Sequence, residues 1–384
     1  MSIMVIIAAL SFVYLLLAYV CLGKLNRSPE QPSAPSSFQP PVTIFKPVCG
    51  LDSETEENLR SFCEQDYPKF QIIFGLRDPN DPAIPVIEKI IAEYPGLDIT
   101  HIVDQQLHGS NYKVSNLINM YGHAKHDVLL IADDDMRVTK DYLNAVVPPL
   151  DDREVGVVTC LYSGSPRGGI ASSLNAMFIN EWFLPSVLIS ETFNKTGYCF
   201  GATMVIPREI LESIGGFQSL VNYLADDYML GRLVTEQGYR IYLSRYVVKN
   251  IVEERNFSSM LSHELRWART LRTVEPLGYA FTFLTDTLVM NCVAAVAVYA
   301  YTQQLLWPVL ILGLASSMRI LYHQRVKHKL GAGEAGSIWL IPIRDILSFS
   351  IRVLSFAGNK IQWKQDRFSV DNTGLIHSGQ ISDY

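Results

Sequence analysis

Charge is scarce in this chain. Only 18% of its 384 residues are Asp, Glu, Lys or Arg, and none of them falls between Ser2 and Gly23. Its six cysteines, Cys21, Cys49, Cys63, Cys160, Cys199 and Cys292, form no CxxC pair. That excludes a zinc ribbon or a disulfide framework and leaves them as reduced thiols. No GxGxxG follows the first strand-like run and no GxxxxGK[ST] occurs, which removes a dinucleotide-binding fold and a P-loop NTPase. With a net charge of -6 there is no basic surplus for phosphate backbones, so nucleic acid is excluded as the main partner. What is present is apolar: 48% hydrophobic residues and a mean hydropathy of +0.14. Such a chain is not disordered, and part of it belongs in lipid.

The run from Ser2 to Gly23 is long enough to cross a bilayer as a helix. It lacks a basic leader and exceeds the apolar core of a cleaved signal, so residues 1–23 are expected to be a retained anchor. Lys24 and Arg27 follow it directly, which by the positive-inside rule puts the remainder on the cytoplasmic side. Residues 24–41 contain SPEQPSAPSSFQPP and read as a stiff spacer. Strand-like runs at Val42 to Lys46, Phe70 to Leu76, Ile99 to Val103 and Val128 to Ala132 then alternate with helical patterns such as Ile84, Ile87, Ile90 and Ile91. The alternation predicts an α/β domain over 42–275, a parallel or mixed sheet with helices on both faces. A C-terminal membrane region is expected over 276–357. It would hold two spans, Phe281 to Tyr301 and Gln304 to Tyr322, the second closed by Arg319, Arg325, Lys327 and Lys329. The apolar stretch Ile338 to Phe356 carries Arg344, Asp345 and Arg352, too many charges for a span, and is expected to be re-entrant or interfacial. Residues 358–384 form a cytoplasmic tail.

In α/β sheets ligands bind beyond the carboxyl ends of the strands, where this chain places Asp78 and the triplet Asp133, Asp134, Asp135. Two carboxylates flanking one residue suit Mg2+ or Mn2+, hard ions that share their shell with substrate phosphates. A solvated acidic turn is the alternative. Asp226 and Asp227 precede a helical run, where they can serve as first-turn acids or as a general base for a hydroxyl. His263, Arg266 and Trp267 share a helix face, suited to a diphosphate and a flat apolar wall, or to anionic headgroups. Lys113 and Asn116 add a cation and an amide near the same end of the sheet.

The order of these motifs resembles the family 2 type inverting glycosyltransferases of GT-A fold, above all the ceramide glucosyltransferase-like branch, family 21. The resemblance runs from FKPVCGLD, RDPNDPAI and NYKVSNLIN through ADDDMRV to GATMVIPREILESIGGF, LADDYMLGRLVTEQGYR and HELRWARTLR. It implies that Asp78 contacts the uridine of a UDP-sugar, that Asp133 and Asp135 hold the metal, and that Asp227 is the catalytic base beside Asp226. The (Q/R)xxRW motif falls on His263, Arg266 and Trp267, with His in place of Gln or Arg. No histidine occurs between Asp127 and Ser262, where the eukaryotic ceramide enzymes resemble one another in having one. The wording HELRWART is similar to bacterial hopanoid-biosynthesis enzymes that join N-acetylglucosamine to bacteriohopanetetrol. The expectation is therefore a metal-dependent transferase at the bacterial inner membrane, facing the cytoplasm, moving one sugar to a lipid hydroxyl. Ceramide with UDP-glucose and a processive polysaccharide synthase are the alternatives.

Overall fold

Neighbouring residues of the first strands bury opposite sides, and this sets the sheet. Strands β1 (Val42–Pro47), β2 (Phe70–Leu76) and β4 (Val128–Ile131) are buried along their whole length. Ile44, Ile72, Phe74 and Leu130 enter one apolar cluster, while Phe45, Ile73, Leu129 and Ile131 enter another. Each face is thus a core, and each such side chain contributes about 1.5–3 kcal/mol by leaving water. The computed structural model describes residues 2–23, 25, 37–193, 197–331, 333, 336–363, 366–371 and 373–378. Lys24 and Arg27, on which the orientation rests, lie outside the described residues, as do residues 28–36 of the spacer and Lys364 of the tail.

The chain divides into two units. The first gathers Met1–Arg27, Ser163–Asn194 and Glu254–Thr373; the second gathers Ser28–Tyr162, Lys195–Glu253 and Gly374–Tyr384. The sheet is completed by β3 (Asp98–Val103), β5 (Met136–Arg137), β6 (Val155–Arg167), β7 (Met204–Pro207) and β8 (Arg240–Glu253), in the order β3-β2-β1-β4-β7-β6-β8-β5. β1, β2, β3 and β4 are parallel, so their carboxyl ends share one edge. β7 runs antiparallel to β4, pairing Ile131 with Met204, and this brings the residues before β7 to the same edge. The mixed sheet expected from the strand alternation is present.

In the first unit, Ser2–Leu22 and Leu306–Leu330 are long and apolar enough to cross a membrane. The span expected at Phe281 to Tyr301 takes another form. Pro276–Thr285 and Thr287–Thr302 meet at 66° around Asp286, so this segment is a broken span or a re-entrant loop. Arg319 is corrected too. It does not flank a span; it is buried, with Nη1 2.7 Å from Glu181 Oε2 and Nη2 2.9 Å from Asp345 Oδ1. His323 Nδ1 lies 2.7 Å from Glu181 Oε1. The helix Ile341–Ser355 has 15 residues. At about 1.5 Å per residue it is shorter than the roughly 30 Å hydrocarbon layer. Its charges turn inward: Arg344 grips Glu264 with both nitrogens at 2.7 and 2.8 Å, and Arg352 pairs with Asp286. Its other face exposes Ile343, Ile346, Val353 and Leu354.

Candidate active site

The shared sheet edge collects charged groups from four segments. β1 ends in Lys46, whose side chain is fully buried, lies 3.8 Å over the Phe62 ring and donates to the Asp133 carbonyl. Burial pushes its amine down to about 8 against the pull of Asp134, Asp133 and Asp135. β4 leads into Asp133, Asp134 and Asp135. The helix Tyr112–Tyr121, capped by the Asn111 side chain on the Val114 N–H at 3.1 Å, carries Lys113 inward. Lys113 Nζ stands 2.6 Å from Asp133 Oδ1 and 3.4 Å from Asp226 Oδ2. Burial disfavours its charge, but Asp133 and Asp226 outweigh burial and raise its pKa.

Asp226 and Asp227 open the helix Asp226–Glu236, where the unpaired N–H groups favour acids. Asp227 Oδ2 accepts 2.8 Å from the Gly201 N–H, and Oδ1 accepts 2.8 Å from the Tyr228 N–H. Burial and the Asp226 charge nevertheless raise Asp227 to about 6, opposed by Lys113 and those two amides. Gly201 is the point of convergence. A Cβ there would stand 3.0 Å from Asp133 Oδ2, 3.3 Å from Lys113 Nζ and 3.5 Å from Asp227 Oδ2, so any side chain would intrude among the charges.

Asp135 has different surroundings. Its Oδ2 accepts 2.9 Å from Asn250 on β8, and its carboxyl lines a small acidic cleft with Asp52, Glu54 and Glu253. Oδ1 is buried with no hydrogen-bond partner, and burial with the charges of Asp133 and Asp134 raises the group to about 7. An orphaned oxygen on a carboxylate that resists ionisation is the condition a divalent cation relieves, so the residues fit the expected ion. Among the described residues no cluster of three or more His, Cys, Asp or Glu ligands is assembled.

The remaining expected residues stand elsewhere. Asp78 is exposed in the loop after β2, its Oδ1 accepting 2.9 Å from the Asn80 N–H. Asn116 packs against β2. It is 5% exposed and donates 2.8 Å to the Gly75 carbonyl, pinning its helix to β2, where a Cβ on residue 75 would meet Asn116 Oδ1 at 2.6 Å. In the first unit, His263, Arg266 and Trp267 share the helix Phe257–Val274, started by a capping box between Asn256 and Ser259. His263 Nδ1 lies 3.0 Å from Glu254 Oε1, and its ring meets Trp267 edge-on at 4.6 Å. Burial pushes Glu254 up, but His263, Ser259 and Asn175 outweigh it and lower the pKa. Arg269 and Arg272 of that helix reach the carbonyls of Ala357, Lys360, Ser355 and Gly358 rather than headgroups.

Sequence reasoning overlooked Lys46, Gly201 and Asn250. Lys46 left a signal, a single charge in the strand-like run VTIFK. Gly201 opens the quoted motif GATMVIPREILESIGGF without being singled out, and Asn250 left no signal, since its importance comes from β8 folding onto the acidic edge.

This mixed sheet, with carboxylates gathered past the ends of parallel strands, is a GT-A-type glycosyltransferase fold. The structure is similar to that of a mannosyltransferase from Pyrobaculum calidifontis solved in complex with GDP-Man and Mn2+. The TM-score is 0.57 at 20% identity, over 90% of this chain and 98% of that one. The family model for glycosyl transferase family 21 matches residues 3–376, and the chain belongs to that family. It is a hexosyltransferase related to ceramide glucosyltransferases. Ceramide glucosyltransferase 3 of Caenorhabditis elegans is 23% identical over 90% of this chain and 75% of its own length. The ceramide glucosyltransferase of Candida albicans is 38% identical over 28% of this chain and 22% of its own.

Proposed function

We propose that the enzyme moves one sugar from a UDP-sugar to a hydroxyl of an amphipathic membrane lipid, inverting the anomeric carbon. The observation that carries this reading is the convergence of Asp133, Lys113 and Asp227 on Gly201, beside Asp226. Asp227, with a pKa near 6, is largely ionised at neutral pH yet basic enough to take the proton of an attacking hydroxyl. Asp133 and Asp135 would hold Mg2+ or Mn2+, which when bound neutralises charge on the departing diphosphate. Lys113 supplies a fixed positive charge to the same end, and Asp78 is assigned to the uridine. Arg266 is assigned to the diphosphate, with His263 and Trp267 lining the acceptor's approach. The catalytic portion, residues 42–275, would work at the cytoplasmic face, held by the anchor 1–23 and the membrane region 276–357.

Two lipids are supported. The names of the relatives favour ceramide as acceptor and glucose as the sugar. His263 at the head of HELRWART and the histidine-free stretch from Asp127 to Ser262 favour a hopanoid such as bacteriohopanetetrol with UDP-N-acetylglucosamine. The test is purified protein in lipid nanodiscs with both UDP-sugars, both acceptors and Mn2+, read by mass spectrometry of the lipids. A singly glycosylated lipid identifies the pair. Sugar polymer would replace the reading with a processive synthase, and no glycolipid from any pair would refute it.

A further inference from the structure

We propose that the segment Gly374–Ser378 is a positioning strap for Asp226 and Asp227; the inference rests on the catalytic reading of that pair. The carboxylates open a helix whose preceding residue, Ala225, offers no side-chain cap, so their placement depends on the loop before it. That loop is gripped from two sides. On one, the Asn111 N–H donates 2.8 Å to the Val221 carbonyl, the Asn111 side chain donates 2.8 Å to the Tyr223 carbonyl, and the Ser110 N–H donates 3.1 Å to Asn222 Oδ1. This turn leads directly into the helix of Lys113, which fixes the loop relative to the cation that Asp226 meets.

The other grip comes from the far end of the sequence. The Leu224 N–H donates 3.0 Å to the Gly374 carbonyl, and the Ile376 N–H donates 2.8 Å to the Asn222 carbonyl. Leu375 pairs with Tyr223 in an antiparallel bridge between these bonds. Leu224 and Ile376 are both buried, so losing the segment would strand the Leu224 N–H without a partner and uncover apolar surface at the loop. Backbone pairing of this kind fixes position without any particular side chain, which is why the segment TGLIHS gave no sequence signal. A displacement of about 1 Å at a reacting group can cost on the order of a hundredfold in rate.

The test compares the full chain, Ile376→Pro, which deletes the amide that bonds Asn222, and a chain ending at Thr373, all in nanodiscs. Transfer kinetics and amide hydrogen exchange are read together. The expected result is a fall in kcat of at least about tenfold with donor KM nearly unchanged, and faster exchange confined to residues 221–228. Addition of a peptide spanning 371–384 should restore part of the rate to the shortened chain. Unchanged kcat with unchanged exchange at 221–228 overturns the strap. So does faster exchange that extends through β1 and β4, which means general unfolding. If the full chain makes no glycolipid, the functional reading fails instead, and the exchange data still decide whether the loop is held by this segment.

Discussion

Two sets of buried charges divide this molecule. In the first unit each named acid has a geometrically matched partner: Arg344 with Glu264, Arg352 with Asp286, Arg319 with Asp345 and Glu181. At the sheet edge the carboxylates outnumber their cations. Asp133, Asp135, Asp226 and Asp227 face Lys113 and Lys46, and Asp135 and Asp227 are raised to about 7 and 6. The first arrangement neutralises buried charge and ties the helices to one another. The second leaves charge uncompensated, which costs stability and which the proposed metal and proton transfer would use.

Substitutions should separate the two sets by what they change. Asp227→Asn is expected to lower transfer by about 10² to 10⁴, the usual share of a general base. Thermal unfolding should be unchanged or slightly raised. The sign follows from linkage: a carboxyl raised above its unfolded value contributes stability at low pH that is lost as pH rises through about 6, so a neutral amide removes that loss. Activity at the wild-type level would break the comparison. Arg344→Met should do the reverse. Leaving Glu264 buried and unpaired costs about 3–5 kcal/mol, read as loss of folded protein on heating, and the double change Arg344→Met with Glu264→Met should recover much of it. A single variant as stable as wild type would show that this pair does not hold the helices. A smaller effect concerns pH. Mn2+ binding, followed by electron paramagnetic resonance, should tighten as pH rises through about 7 while Asp135 gives up its proton, and Asp135→Asn should flatten that rise. A pH-independent affinity would remove Asp135 from the metal.

Much of this was legible in the sequence where one element suffices. The runs of β1, β2 and β4 declared themselves because strands buried on both faces read as continuous apolar stretches, while the partly exposed β3 was read from Ile99 to Val103. Asp133 was singled out from its place after such a run, whereas Asp227, before a helical run, and Lys113 took their assigned roles from the family resemblance. β6 and β8 were not foreseen, because VGVVTCLYSGSPR and RIYLSRYVVKNIVE mix polar residues into strands of 13 and 14 residues. Arg319 was misread for a related reason. Its meaning depends on Glu181 and Asp345, distant in sequence and brought beside it only by helix packing. Asn116 was singled out as an amide near the same end of the sheet, and its bond to the Gly75 carbonyl, which no sequence pattern announces, ties its helix to β2.

The proposed reaction is a single displacement at the anomeric carbon, with Asp227 taking the acceptor's proton. The most direct measurement is the anomeric configuration of the lipid-linked sugar made from an α-linked UDP-sugar, determined by nuclear magnetic resonance. A β-linked product is predicted; an α-linked product, formed with retention, would contradict it.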